Sequence, residues 1–264
     1  MFYGKVIGGI IGLLVAGLFG LVLGIFVGHL FDKGLLKTLR YASPANIARI
    51  KNSFFETTFL LSGYLAKADG RISQQEVDHT EMVIAQMGLN AEQRQRAIEH
   101  FKRGAAAEFQ MEPVVSSFIE IVGQQKQIQQ TLLLFLISLA LADHQIQQVE
   151  HDALQRIATG LGFSPAQLAQ LLRMAQAQEH FHSSAGGGSF GAQPGTSLED
   201  AYDALGVSQD VDEKALKRAY RKLMSENHPD KLIAQGVPEA MVKLATERSQ
   251  EIQAAYEMIK KSRV

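Results

Sequence analysis

The chain has 264 residues, no cysteine and no tryptophan, and 26 Lys+Arg against 27 Asp+Glu leave a formal net charge of −1. That length holds one or two soluble domains. The missing cysteine excludes disulfides, thiolate metal sites and a cysteine nucleophile, and the charge balance argues against a general nucleic-acid binder. From Val6 to Phe31 no Asp, Glu, Lys or Arg interrupts an apolar run in which His29 is the one titratable side chain. At ~1.5 Å per residue such a run crosses a ~30 Å hydrocarbon core. A cleaved signal peptide needs an apolar region of only about 7–15 residues, so 6–31 reads as an uncleaved transmembrane helix. Lys33, Lys37, Arg40, Arg49 and Lys51 follow in a basic juxtamembrane segment, 32–51, against Lys5 alone before the span. The positive-inside rule then places 1–5 outside and the C-terminal bulk in the cytoplasm. Within the span Gly8, Gly12, Ala16, Gly20, Gly24 and Gly28 recur every fourth residue. On a helix they form one small-residue groove, which predicts a homodimer through the transmembrane helix.

Residues 52–182 carry helical apolar periodicity and an internal repeat. Leu65-Ala-Lys-Ala-Asp69-Gly-Arg-Ile72 matches Leu139-Ala-Leu-Ala-Asp143-His-Gln-Ile146, Glu76 matches Glu150, and Met87-Gly88-Leu89 matches Leu161-Gly162-Phe163. Asn90 with Gln93 and Ser164 with Gln167 repeat a helix-start signal, a capping residue followed three positions later by an amide. Each unit is a helix, an Asp-led turn, a second helix, a glycine stop and a third helix, and the two units pack as one all-α domain. Gln124 to Gln130 reads as a polar helix or loop between the units, and Leu132 to Leu141 as a buried core helix too short to cross a bilayer. The segment resembles the TerB-like family associated with tellurite resistance, through its two Ala-Asp-x-x-Ile…Glu turns. Asp69, Glu76, Asp143 and Glu150 could converge on a metal ion, but neither turn supplies the alternating oxygen ligands of an EF-hand. Helix capping by Ser73 and Glu76 explains the pattern better, and no metal site or cofactor is assigned.

Ser183 to Thr196 is glycine- and serine-rich, uncharged and aperiodic, a flexible linker (183–196) spanning on the order of 20 Å. It is expected to let the last segment, 197–264, search for a partner. There, Ser197-Leu-Glu-Asp200 opens a short helix stopped by Gly206. Lys214, Lys217, Arg218, Arg221 and Lys222 share one helix face, with Leu216, Ala219, Tyr220 and Leu223 opposite. Pro229 ends that helix at or just before Asn227, so His228 and Asp230 are presented at a bend. Met241, Ala245, Ile252, Tyr256 and Ile259 then mark a second long helix antiparallel to the first.

The order Ala201-Tyr-Asp-Ala-Leu-Gly-Val207, Lys217-Arg-Ala-Tyr220-Arg-Lys-Leu, His228-Pro-Asp-Lys231 and Gln253-Ala-Ala-Tyr256-Glu resembles the J-domain of DnaJ-type co-chaperones. The resemblance implies that His228, Pro229 and Asp230 engage a DnaK-class chaperone and trigger its ATP hydrolysis. It also implies that Lys214, Lys217, Arg218, Arg221 and Lys222 dock on an acidic surface. With the anchor and the TerB-like segment, the whole chain is similar to bacterial membrane-anchored DnaJ-like co-chaperones. This implies a single-pass inner-membrane protein with a periplasmic N-terminus, working on membrane-proximal clients or signalling. The absence of cysteine-based zinc motifs sets it apart from general-purpose DnaJ proteins. A competing class is a membrane scaffold or stress-signalling protein acting through the TerB-like domain. An enzyme fits least, since no phosphate loop, nucleophile triad or metal cluster is visible.

Overall fold

The computed structural model describes residues 43–68, 88–141, 146–185 and 198–263, and in the N-terminal stretch Ile7, Ile10, Ile11, Leu13, Leu21, Val22 and Ile25. The chain forms two compact units, Met1–Ala48 and Arg49–Val264. In the first, the seven apolar residues just named are helical, and Ile7, Ile10, Ile11, Leu13, Val22 and Ile25 are 42% to 67% exposed. The remaining positions of the span 6–31, every position of the glycine groove among them, lie outside the described residues. Among the described residues, no helix is long and apolar enough to cross a membrane.

Helices account for the rest, and no strand occurs among the described residues. The central part contains α1 (Pro44–Ala66), α2 (Ala91–Gly104), α3 (Met111–Val122), α4 (Lys126–Leu141), α5 (Gln148–Gly160) and α6 (Pro165–Ala185). The C-terminal part contains α7 (Leu198–Ala204), α8 (Glu213–Glu226), α9 (Pro229–Ala234) and α10 (Glu239–Ser262). α4 is the centre: Ile128, Leu132, Leu133, Leu136 and Ile137 are fully buried, and it packs against α3, α5 and α6. A helix apolar on most of its faces needs such cover. The glutamine-rich stretch divides, with Gln124 and Gln125 in the turn and Gln127, Gln129 and Gln130 in the first turns of α4.

The repeated capping signals form as the sequence implies. Asn90 Oδ1 accepts the Gln93 N–H at 2.8 Å while Gln93 Oε1 accepts the Asn90 N–H at 3.1 Å. Ser164 Oγ accepts the Gln167 N–H at 3.3 Å and Gln167 Oε1 accepts the Ser164 N–H at 2.8 Å. Each pair satisfies helix-start amides that have no intrahelical partner.

α1 and α2 cross at two glycines. A Cβ on Gly63 would sit 2.0 Å from Phe101 O, and one on Gly104 would sit 1.8 Å from Leu60 O. Both obstacles are backbone, so only a helix shift could relieve them. Gly104→Ala is expected to cost about 1–3 kcal/mol, the range for overpacking, with unchanged helix content at 20 °C. A thermal melt of the purified full-length chain checks it, and a melting temperature equal to wild type would mean the helices separate freely.

The C-terminal helices do not form a separate ball. Along α10 the apolar face splits: Ile252, Ala255 and Ile259 pack with Leu216, Leu223, Ala201 and Leu205, whereas Met241, Val242 and Ala245 join Leu232 and Val237 in the central core. In exchange, Met174 and Ala177 of α6 enter the C-terminal core. The expected search over a linker gives way to packing, because the apolar stripe of α10 runs on past the hairpin, and its N-terminal part, Met241 to Ala245, is buried in the central core. α6 runs to Ala185, so Ser183 to Ala185 are helical, and 186–197 lie outside the described residues.

Candidate functional site

α8 starts at Asp212, whose Oδ1 accepts the Ala215 N–H at 2.7 Å, and ends at Asn227, whose N–H is donated to Leu223 O at 3.0 Å. Leu216 and Leu223 are buried beneath it, and the Tyr220 ring stacks on Tyr256 at 4.2 Å and 15°. With that face fixed on α10, Lys214, Lys217, Arg218, Arg221 and Lys222 are all exposed on the other. Lys222 reaches Glu226 at 3.9 Å, an exposed contact four residues along the helix that is worth little in water. The stripe therefore remains a cationic surface.

Beyond Asn227 the chain turns once. His228 adopts φ −66° and ψ 124° as the N-cap of α9, and Pro229 takes the first helical position, where its missing N–H costs nothing. The sequence reading places a bend here and the second long helix next; the six-residue α9 between them is new. His228 O accepts the N–H groups of Lys231 and Leu232, each at 3.1 Å. The side chains of His228 and Asp230 are exposed and make no hydrogen bond or ion pair with another described residue. α9 closes at Gly236, φ +96°, where the Val237 N–H reaches back to Leu232 O at 2.9 Å, a left-handed stop that glycine adopts without strain.

Gln127 and Ser249, to which the sequence reading gives no role, hold this bend from behind, and Gln178 and Arg248 tie the C-terminal helices to the central ones. Gln127 Nε2 donates to Glu226 O at 3.0 Å, and Gln127 Oε1 accepts from Gln235 Nε2 at 3.3 Å. Ser249 Oγ lies 3.3 Å from Asn227 O. Gln178 Nε2 donates to Ala204 O at 3.2 Å. Arg248 is buried on α10, and one of its terminal nitrogens donates to Leu134 O at 2.6 Å and to Ser138 Oγ. Burial pulls its guanidinium down to about 10, partly offset by Glu251. Its place in the row Met241, Ala245, Arg248, Ile252 was the available signal: an arginine on a core stripe has a buried partner to find.

Of the four acidic residues weighed as metal ligands, Asp69, Glu76 and Asp143 lie outside the described residues. Glu150 Oε2 accepts the Gln147 N–H at 2.8 Å and so caps the start of α5.

Comparison with known proteins agrees with this layout. Residues 1–39 match the family Co-chaperone DjlA transmembrane domain, 56–173 the family Tellurite resistance protein TerB, and 200–263 the DnaJ domain family. Among curated proteins, the Co-chaperone protein DjlA of Pasteurella multocida is 36% identical, with 99% of this chain and 98% of that protein covered. Those of Salmonella paratyphi A and Aliivibrio fischeri are 38% and 39% identical at the same coverage. No solved structure matches the chain. The anchor, the TerB domain and the J-domain with its exposed His-Pro-Asp bend place the chain in the DjlA family, inner-membrane co-chaperones that act with a DnaK-class chaperone through the J-domain.

Proposed function

We propose that His228, Pro229 and Asp230 are the trigger for ATP hydrolysis by the DnaK-class chaperone, and that Lys214, Lys217, Arg218, Arg221 and Lys222 dock on an acidic surface of it. The observation that carries this is the pairing of two exposed, uncommitted side chains, His228 and Asp230, with an exposed cationic stripe that leads to them. Opposite charge steers encounter and fixes orientation, while the groups at the bend supply the contacts that shift the chaperone. The hydrolysing groups belong to the chaperone, and this chain contributes none. The chain sits in the inner membrane through 6–31, with 1–5 periplasmic and 32–264 cytoplasmic, as its basic flank favours. The groove from Gly8 to Gly28 pairs two copies into a homodimer, which raises the local density of J-domains at the membrane.

The test is single-turnover ATP hydrolysis by a purified DnaK-class chaperone with the full-length chain in lipid nanodiscs. Stimulation that weakens as salt rises supports both the trigger and the docking stripe. No stimulation by folded protein overturns the reading.

A further inference from the structure

The chaperone-activating bend lies in the J-domain, yet one side chain holding it comes from the central domain. Gln127, in the first turn of α4, uses both ends of its amide. Its nitrogen donates to the carbonyl of Glu226, two residues before His228, and its oxygen accepts from Gln235, the residue that caps the end of α9. Glu226 O is among the last four carbonyls of α8, which the helix itself leaves without partners. Gln127 thus spans the bend from the end of α8 to the end of α9. Its own backbone is fixed in turn, since Gln127 O accepts from Thr131 Oγ1 at 2.9 Å and the next residue, Ile128, is fully buried. Arg248 anchors the same face of the J-domain to α4 about two and three turns further along.

We propose that Gln127 is a positioning residue for the chaperone-activating bend: the central domain sets the orientation in which His228 and Asp230 meet the chaperone. The contact touches the backbone behind the bend and leaves His228, Asp230 and the basic stripe exposed. It therefore does not compete with the chaperone for the same groups. Its effect falls on how the trigger is held, and so on maximal stimulation. The stripe, which governs capture, is untouched. The proposal rests on the trigger role given above to His228 and Asp230.

The experiment compares full-length wild type, Gln127→Met and Gln235→Met in nanodiscs, titrated against a purified DnaK-class chaperone in single-turnover ATP hydrolysis. Methionine keeps the length and bulk of glutamine and removes the amide. Gln127→Met is expected to lower maximal stimulation about three- to tenfold, one to two net hydrogen bonds' worth, with the half-saturating concentration within about twofold of wild type. Hydrogen exchange at the Lys231 and Leu232 amides, which donate to His228 O, is expected to quicken in the same variant. Gln235→Met acts through Gln127, so adding it to Gln127→Met should change nothing further. Wild-type stimulation together with an unchanged maximum in both variants overturns the positioning role alone. A raised maximum also overturns it, marking the contact as a restraint. A wild-type chain that fails to stimulate removes the trigger reading and this proposal with it.

Discussion

Full-length protein carrying His228→Gln is expected to lose stimulation of the chaperone's ATP hydrolysis by about tenfold or more, while melting within about 1–2 °C of wild type. The stability half follows from geometry. His228 caps α9 through its backbone, its side chain makes no capping bond, and its ring is exposed, so glutamine replaces it at a cost within about 0.5 kcal/mol. The activity half follows from the same freedom, because an exposed side chain without an internal partner keeps its hydrogen-bonding groups for another protein. Losing one bond of about 1.5–3 kcal/mol, made only when the chaperone is driven to hydrolyse, slows that step tenfold or more. Asp230 sits in the first turn of α9, where its carboxylate also favours the helix dipole. Asp230→Asn should therefore lose stimulation with a slightly lower melting temperature. The pair of variants separates a trigger from a docking contact. A changed half-saturating concentration with an unchanged maximum at saturating protein would move His228 into the docking surface.

What was legible beforehand was local in sequence. The cationic stripe, the proline that ends α8 and the two capping pairs at Asn90 and Ser164 each depend on residues within a turn or two, so periodicity and spacing reveal them. The end of α8 at Glu226 and the stop at Gly206, φ +64°, fall where Pro229 and the glycine require. What stayed hidden depends on distance along the chain. Gln127 lies 99 residues from Glu226, and Arg248 lies 114 from Leu134. A glutamine in a polar run and an arginine in a hairpin read as surface until the fold brings their partners. The glycine crossing of α1 on α2 is hidden likewise, since Gly63 and Gly104 show their need only against the opposing backbone. α9 was missed because six residues are too few to display a period. Its markers, proline at the first position and Gly236 at the end, are legible only as a pair. The glycine-groove positions and three of the four acidic candidates lie outside the described residues, so the groove rests on its four-residue spacing.

The shared core carries the second large effect. Residues 197–264 cut from the chain are expected to lose much of their stability, because Leu232, Val237, Met241, Val242 and Ala245 are buried with the central helices and would meet water. Each of the larger four is worth about 1.5–3 kcal/mol when fully buried. If half of that cover comes from the central domain, the loss is on the order of 5 kcal/mol. A module of this size has only about 3–10 kcal/mol of stability. Arg248 would recover solvent and Met174 and Ala177 would leave the J-domain core, so the two corrections oppose each other. Circular dichroism melts of 197–264 and of the full-length chain check this. The fragment should melt far below the parent or without a cooperative transition, and should bind an apolar dye that the parent excludes. A fragment that melts sharply at the parent's temperature would show that the central domain lends the J-domain no stability. The distinction decides how chaperone assays are read: a silent fragment reports missing structure, whereas a silent full-length chain reports a missing function. It also joins sequence to mechanism, since a helix whose apolar stripe is covered at one end by its hairpin and at the other by a neighbouring domain cannot be a freely tethered arm.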